Sequence, residues 1–354
     1  MSILQSTGFG ILGLGMIAEF HFKAIAELAG CRFVAGFDTI PGRAAEFCEK
    51  HGGRAYDNLA AFLADKDIDI VTIATPSGLH LDGAVAAARA GKHIIVEKPL
   101  EINCARCDTI IAEAAAAGVK VGAVFPARYH TSSKIIKKAI TEGRLGKIVL
   151  ADAQIKWYRS QEYYDSGKWR GTWQFDGGGA LMNQGIHAID LLQWFMGDVR
   201  EVSAQTATLA HERIEVEDTA AAVLKFANGA IGVIEGTTSA WPGFLKKIEI
   251  HGSKGSIRME EESILTWEFA EQRPEDEDIR KQYGGAAATG GGAADPAAIG
   301  YHGHKMLFES FVRALQEDRP VDIDGNEGKK AVEIIEAVYR SAKTHAPVSL
   351  PLIG

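Results

Sequence analysis

Phe9-Gly10-Ile11-Leu12-Gly13-Leu14-Gly15-Met16-Ile17-Ala18 decides the architecture of the first third of the chain. Phe9 to Leu12 is an apolar run of strand length and helical sequence begins near Ile17, so Gly13 and Gly15 fall at a strand-to-helix turn. The first glycine permits the tight turn and the second lets backbone approach a pyrophosphate, while the helix amino terminus favours its negative charge. Gly13, Gly15, Met16 and Ile17 are therefore candidate dinucleotide contacts. An ordinary tight turn is the competing reading, and the sequence downstream argues against it. A second apolar run, Arg32 to Phe37, ends in Asp38, placing a carboxylate about 20 residues on, where adenosine ribose hydroxyls are bound. Asp38 argues for NAD, whereas the nearby Arg43 leaves room for the 2′-phosphate of NADP.

Apolar runs at Ile70 to Ala74, His93 to Val96 and Val119 to Val124 continue the alternation with Ala-rich helical stretches. This rhythm predicts βαβ units and a parallel sheet over residues 1–125. In such sheets ligands bind at the carboxyl ends of the strands. Two strand ends carry chemistry there. Thr75, Pro76 and Ser77, with His80 shortly after, are candidate cofactor contacts, although Ser77 also suits a helix N-cap and a lone His80 also suits a structural role. Glu97-Lys98-Pro99 follows His93 to Val96, so Lys98 leaves a buried strand between a carboxylate and a ring-fixed backbone. Glu97 and Lys98 join the cofactor candidates, against the bland reading of a surface lysine before a turn.

Beyond Phe125 the pattern changes to a helix around Ser133 to Ile140 and then long strand-like segments. These are Ile148 to Tyr158, Glu201 to Thr208, Ala220 to Phe226, Ala230 to Thr238 and Lys247 to Met259, and they predict an antiparallel sheet in a second, α+β domain over residues 126–354. Asn228-Gly229 reads as a hairpin turn. Gly284 to Gly300 reads as a loop or flap, or as a disordered insertion. Helical patterns at Lys305 to Gln316 and Gly328 to His345 and an extended run from Val348 to Leu352 close the chain.

The helix entered through Gly177-Gly178-Gly179 reads as apolar on most sides from Leu181 onward, yet Asn183, His187, Asp190 and Trp194 fall on one stripe of it. Polar groups on a buried helix need partners, so the stripe faces either an internal network or a polar ligand. Asp190, one turn deeper, is the structural member. Upstream, Tyr158, Trp169, Arg170 and Trp173 lie in a segment dense in aromatic rings and polar tips, suited either to sugar faces and hydroxyls or to loop and subunit packing. Arg128 is a substrate candidate or a salt-bridge partner, and His304 a residue closing the pocket.

Composition narrows the function further. The 354 residues are 46% hydrophobic and 24% charged, which suits a globular protein of about two domains. With 38 basic and 46 acidic residues the net charge is −8 and no basic run stands out, so nucleic acid and membrane surfaces are not the expected partners. No signal-type or membrane-spanning segment is evident, and a cytoplasmic location is expected. Cys104 and Cys107 have a metal-like spacing, but no second Cys/His pair completes a site, and no metal is expected.

Taken in order, the Gly13 to Ala18 fingerprint, Thr75-Pro76-Ser77, Glu97-Lys98-Pro99, Arg128-Tyr129, Glu142 to Lys147, the Gly-rich helix with Asn183 and His187, and Tyr339-Arg340-Ser341-Ala342 resemble the Gfo/Idh/MocA family across essentially the whole chain. The resemblance implies an N-terminal Rossmann domain, a doubly wound parallel sheet, and a C-terminal domain with a large open sheet that supports a homodimer or homotetramer. It implies hydride transfer between NAD or NADP and a secondary hydroxyl or carbonyl carbon of a sugar, nucleotide sugar or cyclic polyol. Lys98 and His187 are then the candidate catalytic residues. Many family members carry aspartate four positions before the histidine; this chain has Asn183, which orients a hydroxyl but cannot act as a carboxylate base, so weight moves to Lys98. An NAD-dependent glycosidase and a noncatalytic dinucleotide-binding regulator are the alternatives.

Overall fold

The computed structural model describes residues 6–285 and 300–353. The chain divides into two compact units, Met1–Pro126 with Gly300–Lys329, and Ala127–Ile299 with Lys330–Gly354. The first unit thus takes in a segment from far along the chain, besides the contiguous stretch read from the sequence.

In the first unit, strand β1 (Thr7–Leu12) leads into helix α1 (Met16–Ala26), then β2 (Cys31–Phe37), α2 (Arg43–His51), β3 (Arg54–Tyr56), α3 (Leu59–Leu63), β4 (Ile70–Ile73), α4 (His80–Arg89), β5 (His93–Val96), α5 (Cys104–Ala116) and β6 (Val121–Ala123). The six strands form one sheet in the order β3-β2-β1-β4-β5-β6, and every pairing is parallel. Helices cover both faces of such a sheet, which is why β4 is apolar almost throughout and buried at all four positions. The expected doubly wound sheet is therefore present. The three-residue β3 escaped the sequence reading because Arg54-Ala55-Tyr56 is too short and too polar to show a period. The strand order reverses between β1 and β4, the place at whose carboxyl edge open parallel sheets bind ligands.

The second unit opens with α6 (Thr131–Thr141), β7 (Ile148–Lys156) and the short α7 (Gln161–Asp165). A π-helical segment, Ala180–Gly185, then runs directly into α8 (Ile186–Met196). Strands β8 (Val199–Ala207), β9 (Thr219–Phe226), β10 (Ile231–Thr237), β11 (Lys247–Gly252), β12 (Gly255–Glu260) and β13 (Ser263–Phe269) follow, with α9 (Glu275–Tyr283) after them. The expected single strand from Lys247 to Met259 is two, because the chain turns at Ser253-Lys254 and β11 pairs antiparallel with β12. Asn228-Gly229 makes the predicted hairpin: Gly229 has φ 87°, and the Asn228 side chain accepts from Ala230 N–H at 2.9 Å. Gly284 to Gly300 falls almost wholly outside the described residues.

Helix α10 (His302–Gln316) belongs to the first unit and packs on α1, with Phe308 stacked on Phe9 at 6.0 Å. Helix α11 (Gly325–Thr344) and the short β14 (Val348–Ser349) end the chain. The second sheet runs β13-β12-β11-β7-β10-β9-β8-β14 and is antiparallel except where β10 meets β7. Its strands alternate: in β9, Ala220, Ala222, Leu224 and Phe226 are buried while Val223 is exposed. Val223 shares an outward face with Ile231 and Leu150, both exposed. No described helix is long and apolar enough to cross a membrane.

Candidate active site

The candidate residues form two groups, one in each unit. In the first unit, β1 ends at Gly13, whose φ of 90° suits glycine and where a side-chain Cβ would lie 2.7 Å from Thr75 N. Gly15 is the N-cap of α1 and, as a glycine, brings no side-chain cap to that helix terminus. Met16 is 57% exposed beside it, and Ile17 is half-buried. Asp38 is fixed to this loop. One carboxylate oxygen accepts from Leu14 N–H at 2.8 Å and the other from Ile40 N–H at 2.8 Å, and the Arg43 guanidinium lies 3.5 Å away. Arg43 is thus engaged by Asp38. The Thr75 hydroxyl is buried with no hydrogen-bond partner among the described residues. Glycines that admit close approach, an uncapped helix terminus and an unsatisfied hydroxyl fit a dinucleotide.

Pro76 is half-buried and is the N-cap of a 3₁₀ turn (Ser77–Leu79), while Leu79 is the N-cap of α4, so the N-cap role foreseen for Ser77 falls to other residues. His80 is buried rather than facing a ligand. Its Nδ1 is 2.9 Å from the carbonyl of Pro99 and its Nε2 is 2.9 Å from that of Thr75; burial pulls its pKa down while Glu101 and the two carbonyls oppose this. Glu97 is also internal. It accepts from His21 Nε2 at 2.8 Å, His304 Nε2 at 3.2 Å and the Lys98 N–H at 3.0 Å. Burial alone would raise the Glu97 carboxyl, but the donors from His21 and His304 more than offset it and hold it well below the usual range. His304, expected over a substrate pocket, is 4% exposed and serves Glu97. His21, Glu97 and His304 have the spacing of a metal site. However, metal-binding imidazoles normally donate through their other nitrogen, and Nδ1 of both His21 and His304 is buried without a partner among the described residues. Hydrogen bonding accounts for the cluster. Lys98 stays half-buried at the strand end.

In the second unit, the helix expected from Leu181 is π-helical over Ala180–Gly185 and becomes α only at Ile186, so the stripe drawn at 3.6 residues per turn does not begin until His187. Between Asp176 and Gln193, Asn183 and His187 are the two residues not fully buried. Asp190 is buried and clasps Arg128, at 2.7 Å from Nη2 and 2.9 Å from Nε. Arg128, 4% exposed, is thus engaged in the salt bridge foreseen as its other role, a pairing that offsets both buried charges.

Two acids absent from the sequence reading complete this group. Asp176, 1% exposed, accepts from the Asn183 amide at 2.7 Å and from Gly171 N–H at 2.9 Å. Since an amide donates only through nitrogen, this bond fixes which way Asn183 faces. Glu217 receives Gly179 N–H at 3.0 Å, Leu181 N–H at 2.9 Å and the Tyr339 hydroxyl at 3.0 Å, capping the π-helical segment. Burial pushes its carboxyl up to about 7 against these donors. The glycines make this approach available: a Cβ at Gly179 would lie 1.8 Å from the Glu217 carbonyl oxygen. The only local signals were the acid immediately before the glycine run and an apolar helix start without a cap. The aromatic segment is tied to the same place, because Gln184 donates to the Tyr163 hydroxyl at 3.0 Å and accepts from Arg159 at 2.9 Å. Arg170 lies over the rings of Tyr163 and Trp169. Tyr158 meets Trp241 edge-on at 5.1 Å, and Trp173, 45% exposed, meets Tyr339 edge-on at 5.2 Å.

Comparison with known proteins places the chain in a family. The family model for the oxidoreductase family with an NAD-binding Rossmann fold matches residues 7–125, and that for the GFO/IDH/MocA C-terminal domain matches residues 134–258. The WlbA dehydrogenase from Bordetella pertussis, solved in complex with NADH and UDP-GlcNAcA, is 34% identical with a TM-score of 0.88, over 98% of this chain and 100% of that one. Inositol 2-dehydrogenase of Rhizobium meliloti is 27% identical over 97% of this chain and 98% of its own length. Levoglucosan dehydrogenase of Pseudarthrobacter phenanthrenivorans is 27% identical over 99% of this chain and 100% of its own length.

Proposed function

The chain belongs to the GFO/IDH/MocA family of NAD-dependent oxidoreductases, and from that premise we propose that it transfers hydride between NAD(H) and a secondary carbinol carbon of a nucleotide sugar. The observation that carries the substrate class is the 34% identity, across 98% of this chain, to a dehydrogenase holding NADH and UDP-GlcNAcA. Asn183 is consistent with it, since an oriented amide binds sugar hydroxyls through both a donor and an acceptor.

The first unit holds the dinucleotide and the second the sugar. Gly13, Gly15, Met16 and Ile17 bind the pyrophosphate, Asp38 the adenosine ribose, and Thr75, Pro76 and Ser77 line the cofactor. Asp38, by engaging Arg43, favours NAD over NADP. Bound NAD supplies the hydride acceptor. Lys98, as the neutral amine, takes the hydroxyl proton during oxidation and returns it during reduction. His187 and Asn183 orient the reacting hydroxyl, with Asp176 fixing the amide of Asn183. Tyr158, Trp169, Arg170 and Trp173 offer ring faces and polar tips to the sugar. Copies of the chain assemble through the exposed outer face of the second sheet around Val223 and Ile231, giving a homodimer or homotetramer. The setting is the cytoplasm, where the four cysteines, none in a disulfide, stay reduced.

A substrate panel tests the reading. UDP-GlcNAcA, myo-inositol and levoglucosan are each supplied with NAD or NADP while nicotinamide absorbance is followed. Turnover with UDP-GlcNAcA and NAD supports the proposal. Turnover confined to inositol or levoglucosan removes the nucleotide-sugar assignment.

A further inference from the structure

His80 makes two contacts that a neutral imidazole cannot satisfy together. Its ring is 1% exposed, with Nδ1 and Nε2 each 2.9 Å from a carbonyl oxygen, Pro99 on one side and Thr75 on the other. Carbonyl oxygens only accept, and neutral imidazole has one N–H, so one contact would set lone pair against lone pair. With two protons on the ring, both are hydrogen bonds.

The surrounding charges favour the same state. After β5, Glu101 is fully buried; it accepts from Leu81 N–H at 3.1 Å and pairs with Arg106 of α5 at 2.8 Å. Glu97 is a buried carboxylate whose side-chain partners are His21 of α1 and His304 of α10. Burial keeps His21 inclined to the neutral form. Cys107 of α5 is held as a thiol by burial. Asp82 lies on the same helix as His80, and Lys98 on the neighbouring strand end. Glu97 and Glu101 are two buried carboxylates in this region, with Arg106 paired to Glu101, and the field of both carboxylates favours a proton on His80. Burial works against this proton, and the two charge-assisted bonds and the neighbouring carboxylates work for it.

We propose that His80 is a buried imidazolium and a positioning residue for Lys98, joining the ends of β4 and β5 through Thr75 and Pro99 and setting a fixed positive charge beside the Lys98-Pro99 segment. A like charge there disfavours the ammonium form of Lys98 and so favours the amine that accepts a proton. The positioning half rests on the proposed role of Lys98; the charge state does not.

Nitrogen-15 NMR of ring-labelled histidine tests the charge state in the unaltered protein, the His80 signals being those lost in His80→Gln. At about pH 7, where a free histidine is mostly neutral, both ring nitrogens of His80 are expected at protonated-imidazolium positions. One protonated and one bare nitrogen overturns the imidazolium. The kinetic arm uses His80→Gln, which keeps a donor and removes the charge. The limb of the kcat/KM profile that reports the base should move up by about one pH unit, whereas a lower rate on an unmoved profile overturns the positioning role. Lys98→Met is run beside it. If that variant keeps its turnover, the role of Lys98 fails and the positioning claim with it, while the spectrum still decides the imidazolium.

Discussion

Replacing Asn183 with aspartate would give this chain the residue many family members carry, and the structure predicts that the change is harmful here. The Asn183 amide donates to Asp176 Oδ1 at 2.7 Å, and Asp176 is 1% exposed. In Asn183→Asp two carboxylate oxygens would meet at that contact. Two unit charges about 4 Å apart repel by about 4 kcal/mol at an effective dielectric constant of about 20, equivalent to about three pKa units. One carboxyl of the pair should therefore hold its proton up to about pH 7. Because the folded pKa is raised above the unfolded one, the stabilising proton is fully present below about pH 4 and is lost as pH rises through about 7. Urea denaturation of variant and wild type should show a stability gap that opens across that range, reaching about 2–4 kcal/mol at pH values above it. The exchange Asp176→Asn with Asn183→Asp leaves one carboxylate and should close most of the gap. A gap that does not change with pH would refute the reasoning.

Three further outcomes follow from the same geometry. Asp190→Ala removes the buried carboxylate paired with the Arg128 guanidinium and should cost about 3–5 kcal/mol in chemical denaturation, with Arg128→Met plus Asp190→Leu costing clearly less. Glu217, pushed up to about 7, has a folded pKa above its unfolded one; stability should fall by up to about 3 kcal/mol as pH rises from about 4.5 to about 7, and Glu217→Gln should flatten that dependence. Asp38→Ser removes the carboxylate that engages Arg43, so the ratio of kcat/KM for NAD to that for NADP should drop by at least about tenfold.

What the sequence revealed was local or periodic. Gly13, Gly15 and Asp38 lie in one βαβ unit with fixed spacing, so both the fold of the first unit and its cofactor class were legible. The hairpin at Asn228-Gly229 was legible for the same reason. Partnerships across long stretches of chain were not. Glu97 and His304 are 207 residues apart, and nothing in the local pattern says that a helix near the end of the chain delivers an imidazole to a strand end near its start. Arg128 and Asp190 are 62 residues apart, so the local pattern around Arg128 leaves its salt bridge unmarked. The π-helical entry to α8 also escaped, because apolar periodicity over six residues does not separate it from an α-helix. Asp176 stands before a glycine run with no periodic signal to mark it, although it settles which way Asn183 faces.

The proposed role of Lys98, moving the substrate proton during hydride transfer with NAD, is checked in Lys98→Met by comparing NADH affinity with single-turnover nicotinamide absorbance in the presence of UDP-GlcNAcA. Near-normal NADH binding and a rate reduced by about a hundredfold to ten-thousandfold are expected. A single-turnover rate within about tenfold of wild type would contradict it.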